Sequence, residues 1–131
     1  MNLLNKNYPE VSVIIPYFRG NPEHLIDALH SVQNQTYKNF EVILIDDGSG
    51  KSYRSNKIFD QFQFKNKKYI YIEKNKGVAH AMNLAIDESL GKYINWLSHD
   101  DMLAPTKLEK QINLLKNQEN IISYSNFYSF Y

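Results

Sequence analysis

The chain has 131 residues and a formal net charge of +1, and its 43% hydrophobic and 22% charged residues are ordinary for a soluble globular protein. That length suits one domain with a two- or three-layer core, and the charge gives no electrostatic basis for nucleic-acid binding. The absence of cysteine excludes disulfides, thiolate zinc sites and a cysteine nucleophile, and fits a reducing compartment, so any metal must take oxygen or imidazole.

The first seven residues are too polar for a signal peptide, and no run approaches the roughly 18 apolar residues of a membrane helix. The expected location is therefore cytoplasmic. After Pro9, Val11-Ser12-Val13-Ile14-Ile15 is short, β-branched and nearly all apolar, as in a strand buried on both faces of a parallel sheet. Pro16-Tyr17-Phe18-Arg19-Gly20 follows it. Asn21-Pro22-Glu23 supplies a cap, a proline for the first helical position and an acid for the first turn. The helix it starts has Leu25, Ile26, Leu29 and Val32 on its apolar face and ends near Asn34-Gln35-Thr36.

Phe40-Glu41-Val42-Ile43-Leu44-Ile45 reads as a second buried strand, ending in Asp46-Asp47-Gly48-Ser49. Residues 50–68 suggest one poorly defined helix, with Ile58 and Phe62 at helical spacing, among loops. Tyr69-Ile70-Tyr71-Ile72-Glu73 is expected as the third strand. Asn75-Lys76-Gly77 is a turn, with Gly where positive φ is needed. A helix from Val78 places Val78, Ala81, Met82, Ala85 and Ser89 on one face, and Gly91 closes it near the C-cap.

Tyr93-Ile94-Asn95-Trp96-Leu97 forms the next strand, delivering Ser98-His99-Asp100-Asp101 beyond its end. A helix beginning at Pro105 turns Leu108, Ile112 and Leu115 inward, and Ile121-Ile122-Ser123-Tyr124-Ser125 is expected as a fifth strand. Strands alternating with helices imply an α/β fold, a mostly parallel sheet with helices on both faces. Such sheets bind ligands at the carboxyl ends of their strands, which here selects residues 16–19, 46–49 and 98–101.

Two acidic pairs, Asp46-Asp47 and Asp100-Asp101, thus converge on one edge. Turn chemistry explains either pair alone, because Asp after a strand hydrogen-bonds its own backbone. Together they are costly without a cation or donors, and hard oxygen ligands suit Mg²⁺ or Mn²⁺ carrying a phosphate. Phe18 could stack on a base, although packing is the simpler role for a lone aromatic. His99 suits a metal ligand, a phosphate contact or a support for the acidic loop.

Other motifs fail. Gly50-Lys51-Ser52 lacks the Gly five positions earlier that a phosphate loop needs, since Ile45 stands there inside the strand. No Gly-x-Gly-x-x-Gly, Ser-His-Asp or His-Glu-x-x-His pattern occurs. His24, His30 and His80 fall on expected helices and carry no assigned chemistry.

In chain order, Val11 to Tyr17, Ser31-Val32-Gln33-Asn34-Gln35-Thr36-Tyr37, Phe40 to Ser49, Asn75-Lys76-Gly77 with Ala81 and Asn83, and Gly91 to Asp101 resemble a family 2 glycosyltransferase. The resemblance covers nearly the whole chain. It implies the nucleotide-sugar-binding part of a GT-A fold, a Rossmann-like half, with residues 1–131 as a single domain ending before the acceptor-binding half. Asp47 then holds the base with Asp46 beside it, and Pro16, Tyr17 and Phe18 line the nucleotide site. Asp101 binds Mg²⁺ or Mn²⁺ on the diphosphate, Asp100 lies toward the ribose or the metal's water, and His99 and Asn83 are accessory.

The implied reaction is transfer, with inversion, from a nucleotide-diphosphate sugar, a UDP-sugar being favoured, to a saccharide or lipid-linked acceptor in surface polysaccharide or glycan synthesis. The longer protein would lie peripheral to the inner face of the membrane. The catalytic base is expected beyond Tyr131, leaving this chain alone inactive in transfer. Three positions depart from the family's pattern: Ser98 stands for its first Asp, Met82 for a common Arg and Ala85 for a common Gly. They support an alternative, a non-catalytic nucleotide-binding or assembly module of the same fold. A response-regulator-like acidic pocket is a weaker alternative, because no Lys follows a late strand.

Overall fold

The computed structural model describes residues 8–129. Its elements are β1 (Val11–Tyr17), α1 (Pro22–Gln33), β2 (Phe40–Asp46), a 3₁₀ turn (Lys51–Tyr53), α2 (Ser55–Asp60), β3 (Lys67–Tyr71), α3 (Val78–Asp87), β4 (Tyr93–Trp96) and α4 (Lys107–Leu115). All strand pairs are parallel and the order is β3-β2-β1-β4. The chain therefore grows outward from β1 through β2 to β3, then returns to add β4 on β1's other side. The switch point between β1 and β4 leaves a crevice beyond their carboxyl ends.

Both central strands are buried on both faces because each is an almost unbroken apolar run. Side chains alternate across the sheet. Val11, Val13, Ile15, Tyr17, Val42 and Leu44 meet Leu25, Leu29, Ile58, Leu108 and Ile112 in the larger core. Ile14, Ile43 and Ile45 meet Ile72, Ala81, Met82 and Ala85 in the smaller one. Thus α1, α2 and α4 cover one face and α3 the other. Asn21 caps α1, its Oδ1 accepting from Glu23 N at 2.9 Å, and Leu25, Leu29 and Val32 are buried while Ile26 is half-buried.

Several boundaries differ from the sequence-based expectation. β3 begins and ends two residues early, because its ladder runs from Val42 opposite Lys67 to Asp46 opposite Tyr71 and stops where β2 stops. Lys67 starts the strand because its ammonium donates to the carbonyls of Phe59 and Phe62, at 3.2 and 2.9 Å. Val78 opens α3 but is exposed, and Ser89 lies beyond the helix's last residue. α4 starts two residues after Pro105, whose carbonyl instead accepts from Thr36 N at 2.9 Å. Leu115 is only half-buried.

The expected fifth strand is absent: residues 121–125 have no strand pairing, and most of them are exposed. Strand propensity alone does not make a strand without an edge to pair with. Gly91 also has a different role from the expected C-cap, since α3 ends at Asp87 with Glu88 capping it. Gly91 lets the chain pass against β1: a Cβ there would lie 2.5 Å from Ser12 N and 2.7 Å from Val11 C. The approach is fixed by a buried network in which Ser12 Oγ donates to Glu41 Oε1 at 2.5 Å, Leu90 N donates to the same oxygen at 2.6 Å, and Gly91 N donates to Ser12 Oγ at 2.9 Å.

Candidate nucleotide-sugar site

The three segments chosen by the carboxyl-end rule do meet. A cleft of about 420 Å³ is lined by Pro16, Tyr17 and Phe18 after β1, Asp47 after β2, Asn75, Gly77, Val78 and Ala81 around the start of α3, and Trp96, Ser98, His99 and Asp100 at the end of β4. Its size and mixed lining suit a small polar ligand with a flat apolar part.

The two neighbouring acids after β2 point opposite ways. Asp46 continues the face of Val42 and Leu44, and its buried carboxylate is consumed inside the protein. Oδ1 accepts from Ser49 N at 2.8 Å, while Oδ2 accepts from the hydroxyl of Ser55 and from Tyr69 OH at 3.5 Å. These bonds tie the 48–49 turn to α2 and β3. Asp46 is not on the cleft wall.

Asp47 continues the face of Ile43 and Ile45 and reaches the start of α3. Oδ1 accepts from Lys76 N at 2.9 Å, and Oδ2 from Gly77 N at 2.7 Å and Asn75 Nδ2 at 2.9 Å. A helix N-terminus has free amides and partial positive charge, so it favours a carboxylate there. Gly77 has φ +92°, the backbone conformation anticipated for this turn. One carboxylate thus shapes one wall of the cleft and remains part of its surface.

Phe18 is part-exposed on the wall, with the Arg19 guanidinium carbon 5.1 Å from its ring centroid. Arg19 itself has φ +47° and donates its N–H to Ser49 Oγ at 2.8 Å. A non-glycine residue held in the left-handed region beside a cleft is strain localised at a candidate site. His99 packs inward: its ring sits edge-on to Tyr17 at 5.2 Å, and a Cβ on Gly20 would lie 2.1 Å from its Nε2. This geometry favours the supporting role among those open to it. Asp100 is on the wall, Asp101 is exposed beside it with its N–H donating to Ser98 O at 3.1 Å, and Asn83 is exposed on α3 away from the wall.

Asn75, Gly77, Val78, Ala81 and Trp96 line the cleft without being expected there from sequence. A signal for them exists, since the carboxyl-end rule applied to β3 selects the 72–77 segment, and alternation along β4 puts Ile94 and Trp96 on the α3 side.

Tyrosines bracket the Asp46 cluster. Burial, followed by the negative charge of Asp46, pushes the Tyr17 phenol up to about 12, and burial with Asp46 also raises Tyr69. The Tyr37 phenol is pushed up to about 12 by burial and its hydrogen bond to Glu10. A phenol with a raised folded-state value binds its proton more tightly folded than unfolded. Its stabilisation is therefore complete below the unfolded value near 10 and is lost as pH rises toward 12. The urea midpoint should fall between about pH 9 and about pH 11, and Tyr17→Phe should flatten that fall. An unchanged midpoint across the interval would contradict this picture.

A divalent cation must find hard oxygen donors. Among the described residues no group of three or more His, Cys, Asp or Glu gathers as a metal site. Asp100 and Asp101 are exposed carboxylates at the end of β4, oxygen donors of the kind of which Mg²⁺ takes one or two together with phosphate oxygens and water.

The sequence pattern described as Glycosyl transferase family 2 matches residues 12–131. An uncharacterized glycosyltransferase of Rickettsia bellii is 40% identical over 126 residues, covering 95% of this chain and 18% of that protein. TuaG of Bacillus subtilis, named for teichuronic acid biosynthesis, is 31% identical over 121 residues, covering 91% of this chain and 47% of its own length. The chain spans less than half the length of these relatives, and 48% of an uncharacterized glycosyltransferase of Haemophilus influenzae.

Among solved structures, the mannosyltransferase PcManGT of Pyrobaculum calidifontis, in complex with GDP-Man and Mn²⁺, superposes with a TM-score of 0.74 at 21% identity, covering 84% of this chain and 33% of that one. Residues 1–349 of TarS from S. aureus, in complex with UDP-GlcNAc, give 0.74 at 23% identity, covering 81% and 31%. At such identities the likeness establishes the fold. With a parallel sheet flanked by helices, a GT-A architecture and a family pattern over almost the whole chain, this protein belongs to glycosyl transferase family 2.

Proposed function

We propose that the cleft binds the nucleoside diphosphate portion of a nucleotide sugar and that the chain is the donor-binding part of an inverting glycosyltransferase. The observation that carries this reading is Asp47, a buried carboxylate locked to the start of α3 that shares one cleft with Phe18 and Asp100. A fixed acceptor beside an aromatic ring is what selective recognition of a base requires, through hydrogen bonds and stacking. Asp100 and Asp101 would hold Mg²⁺ or Mn²⁺ against the diphosphate, and when bound the ion offsets the negative charge growing on the leaving group. Complexes of the fold's neighbours with GDP-Man and Mn²⁺ and with UDP-GlcNAc support a nucleotide-sugar ligand.

In the reaction, the acceptor hydroxyl oxygen attacks the anomeric carbon, the bond from that carbon to the phosphate oxygen breaks, and the nucleoside diphosphate departs with the bonding pair. A carboxylate base takes the hydroxyl proton. No residue is assigned as that base. A role in surface polysaccharide synthesis draws support from the Bacillus relative, which is named for teichuronic acid biosynthesis, and the acceptor in this proposal is a saccharide or a lipid-linked one. No helix among the described residues is long and apolar enough to cross a membrane.

Calorimetric titration of UDP and GDP with Mn²⁺, Mg²⁺ or EDTA tests the metal assignment. Affinity should be greater with the cation, and Asp101→Ala should remove most of that gain, about 10-fold or more. Equal affinity with and without metal, or an Asp101→Ala protein indistinguishable from the parent, would sink the metal role while leaving the Asp47 assignment standing.

A further inference from the structure

Two loops that follow adjacent strands carry the two ends of the cleft. Residues 17–20 after β1 put Phe18 on its wall, and residues 98–101 after β4 put Asp100 there with Asp101 exposed beside it. Between them stands His99. Its ring lies so close to Gly20 that a Cβ there would be 2.1, 2.4 and 2.9 Å from Nε2, Cδ2 and Cε1, where ordinary contact begins at about 3.4 Å. Glycine is needed here for space and not for conformation, since Gly20 is not among the residues with positive φ. The same seat is walled by Tyr17, which is buried, edge-on to His99 at 5.2 Å, and donates its hydroxyl to Gly20 O at 2.6 Å.

The two loops are not equally held. Tyr17 O accepts from Asp47 N at 2.9 Å and Arg19 N donates to Ser49 Oγ at 2.8 Å, so residues 17–20 are tied to the turn after β2. Residues 98–101 have, among the described residues, one hydrogen bond, their own turn bond from Asp101 N to Ser98 O at 3.1 Å. The acidic loop therefore takes its place from how His99 seats, and it is the loop that yields when the seat changes.

We propose that His99 is a positioning residue and Gly20 its seat, together setting the distance from Asp100 and Asp101 to a ligand held at Phe18 and Asp47. This role presupposes the nucleoside diphosphate and the cation of the reading above. A cation shared by carboxylates and phosphate tolerates little misplacement, because Mg²⁺ demands near-octahedral geometry at about 2.0–2.1 Å. A methyl group at Gly20 forces the His99 ring back by more than about 1 Å, a displacement large enough to matter in a preorganised site. It removes no donor, and Gly20 is not on the cleft wall.

Calorimetry with UDP and GDP, each in Mn²⁺ and in EDTA, should give the parent a cation gain in affinity of about 10-fold. Gly20→Ala should cut that gain to about 3-fold while affinity in EDTA stays within about 2-fold, and its thermal midpoint should fall. His99→Ala, which empties the seat, should also leave about 3-fold. Because both changes act on one contact, the double variant should again leave about 3-fold and recover most of the lost midpoint, whereas independent roles would multiply and abolish the gain. If Gly20→Ala does not fold, His99→Ala and the double variant decide by the same comparison. A Gly20→Ala protein that keeps the parent's gain would overturn the role and leave Gly20 a packing residue, and a double variant with no gain would overturn it too. A parent without any cation gain removes the cation reading and this role together. A gain that Asp101→Ala removes and Gly20→Ala does not removes this role alone.

Discussion

Asp47→Ala should weaken nucleoside diphosphate binding by about 10- to 100-fold, the loss expected when a hydrogen bond to a charged group is removed. The effect has two sources. The carboxylate is proposed to accept from the base, and it also holds Lys76 N, Gly77 N and Asn75 Nδ2 in place. Removing it leaves part-buried donors without partners, which costs about 1–3 kcal/mol, so the thermal midpoint should fall as well. Asp47→Asn separates the sources. Its carbonyl still accepts, but its amide faces backbone N–H groups that cannot accept, so affinity and stability should both fall short of the parent. Asp46→Ala should behave differently, lowering stability while changing affinity in the folded protein only slightly, since Asp46 lies behind the wall and bonds to Ser49, Ser55 and Tyr69. Calorimetry and thermal melts on the three variants check the pattern.

Gly91→Ala should destabilise the fold by about 3 kcal/mol, the upper end of the usual range for forcing a methyl group into a filled space. The added Cβ would meet Ser12 N at 2.5 Å and Ser12 Oγ at 2.6 Å. The first is backbone of a central strand, fully buried and paired on both sides, so it cannot step aside. Relief by moving residues 90–91 instead would break the bonds from Leu90 N and Gly91 N to Glu41 and Ser12. Glu41→Gln, which retains an acceptor, should cost less, and its effect should be non-additive with Gly91→Ala because both act on one network. This network lies at the amino end of β1 and the cleft at its carboxyl end. Urea denaturation should therefore show a large loss for Gly91→Ala while nucleotide affinity of the folded fraction stays near that of the parent.

The residues easiest to interpret from sequence are those whose conformation is set by a single strong influence. Val11 to Ile15 and Phe40 to Ile45 are buried on both faces, so continuous apolar runs identify them regardless of context. Asn21-Pro22-Glu23 starts a helix through local bonding and a fixed φ, which also needs no partner. β3 is displaced by two residues because its ends are set by pairing with β2, which is not local, and by the bonds from Lys67 to the carbonyls of Phe59 and Phe62. Residues 121–125 have strand propensity, but a strand exists only with a neighbour. The convergence of residues 16–18, 47 and 98–100 follows from the parallel-sheet rule.

Sequence reading merges the pair Asp46-Asp47, although the alternation of a strand separates them: Asp46 shares a face with Leu44 and Asp47 with Ile45. Similar reasoning along β4 draws Trp96 toward the cleft. The roles of Asn75 and Gly77 depend on the loop after β3 folding back on Asp47, which only the assembled sheet reveals.

A nucleoside diphosphate is proposed to occupy the cleft bounded by Phe18, Asp47 and Trp96. Trp96 is the chain's single tryptophan, lies on the cleft wall and is more than half exposed, so its fluorescence reports occupancy without a label. Titration with UDP or GDP in the presence of Mn²⁺ should give a saturable change in Trp96 emission, reversed by dilution and shifted to at least about 10-fold higher ligand concentration in Asp47→Ala. A response that never saturates with either nucleotide, or a saturable one that Asp47→Ala leaves in place, would contradict it.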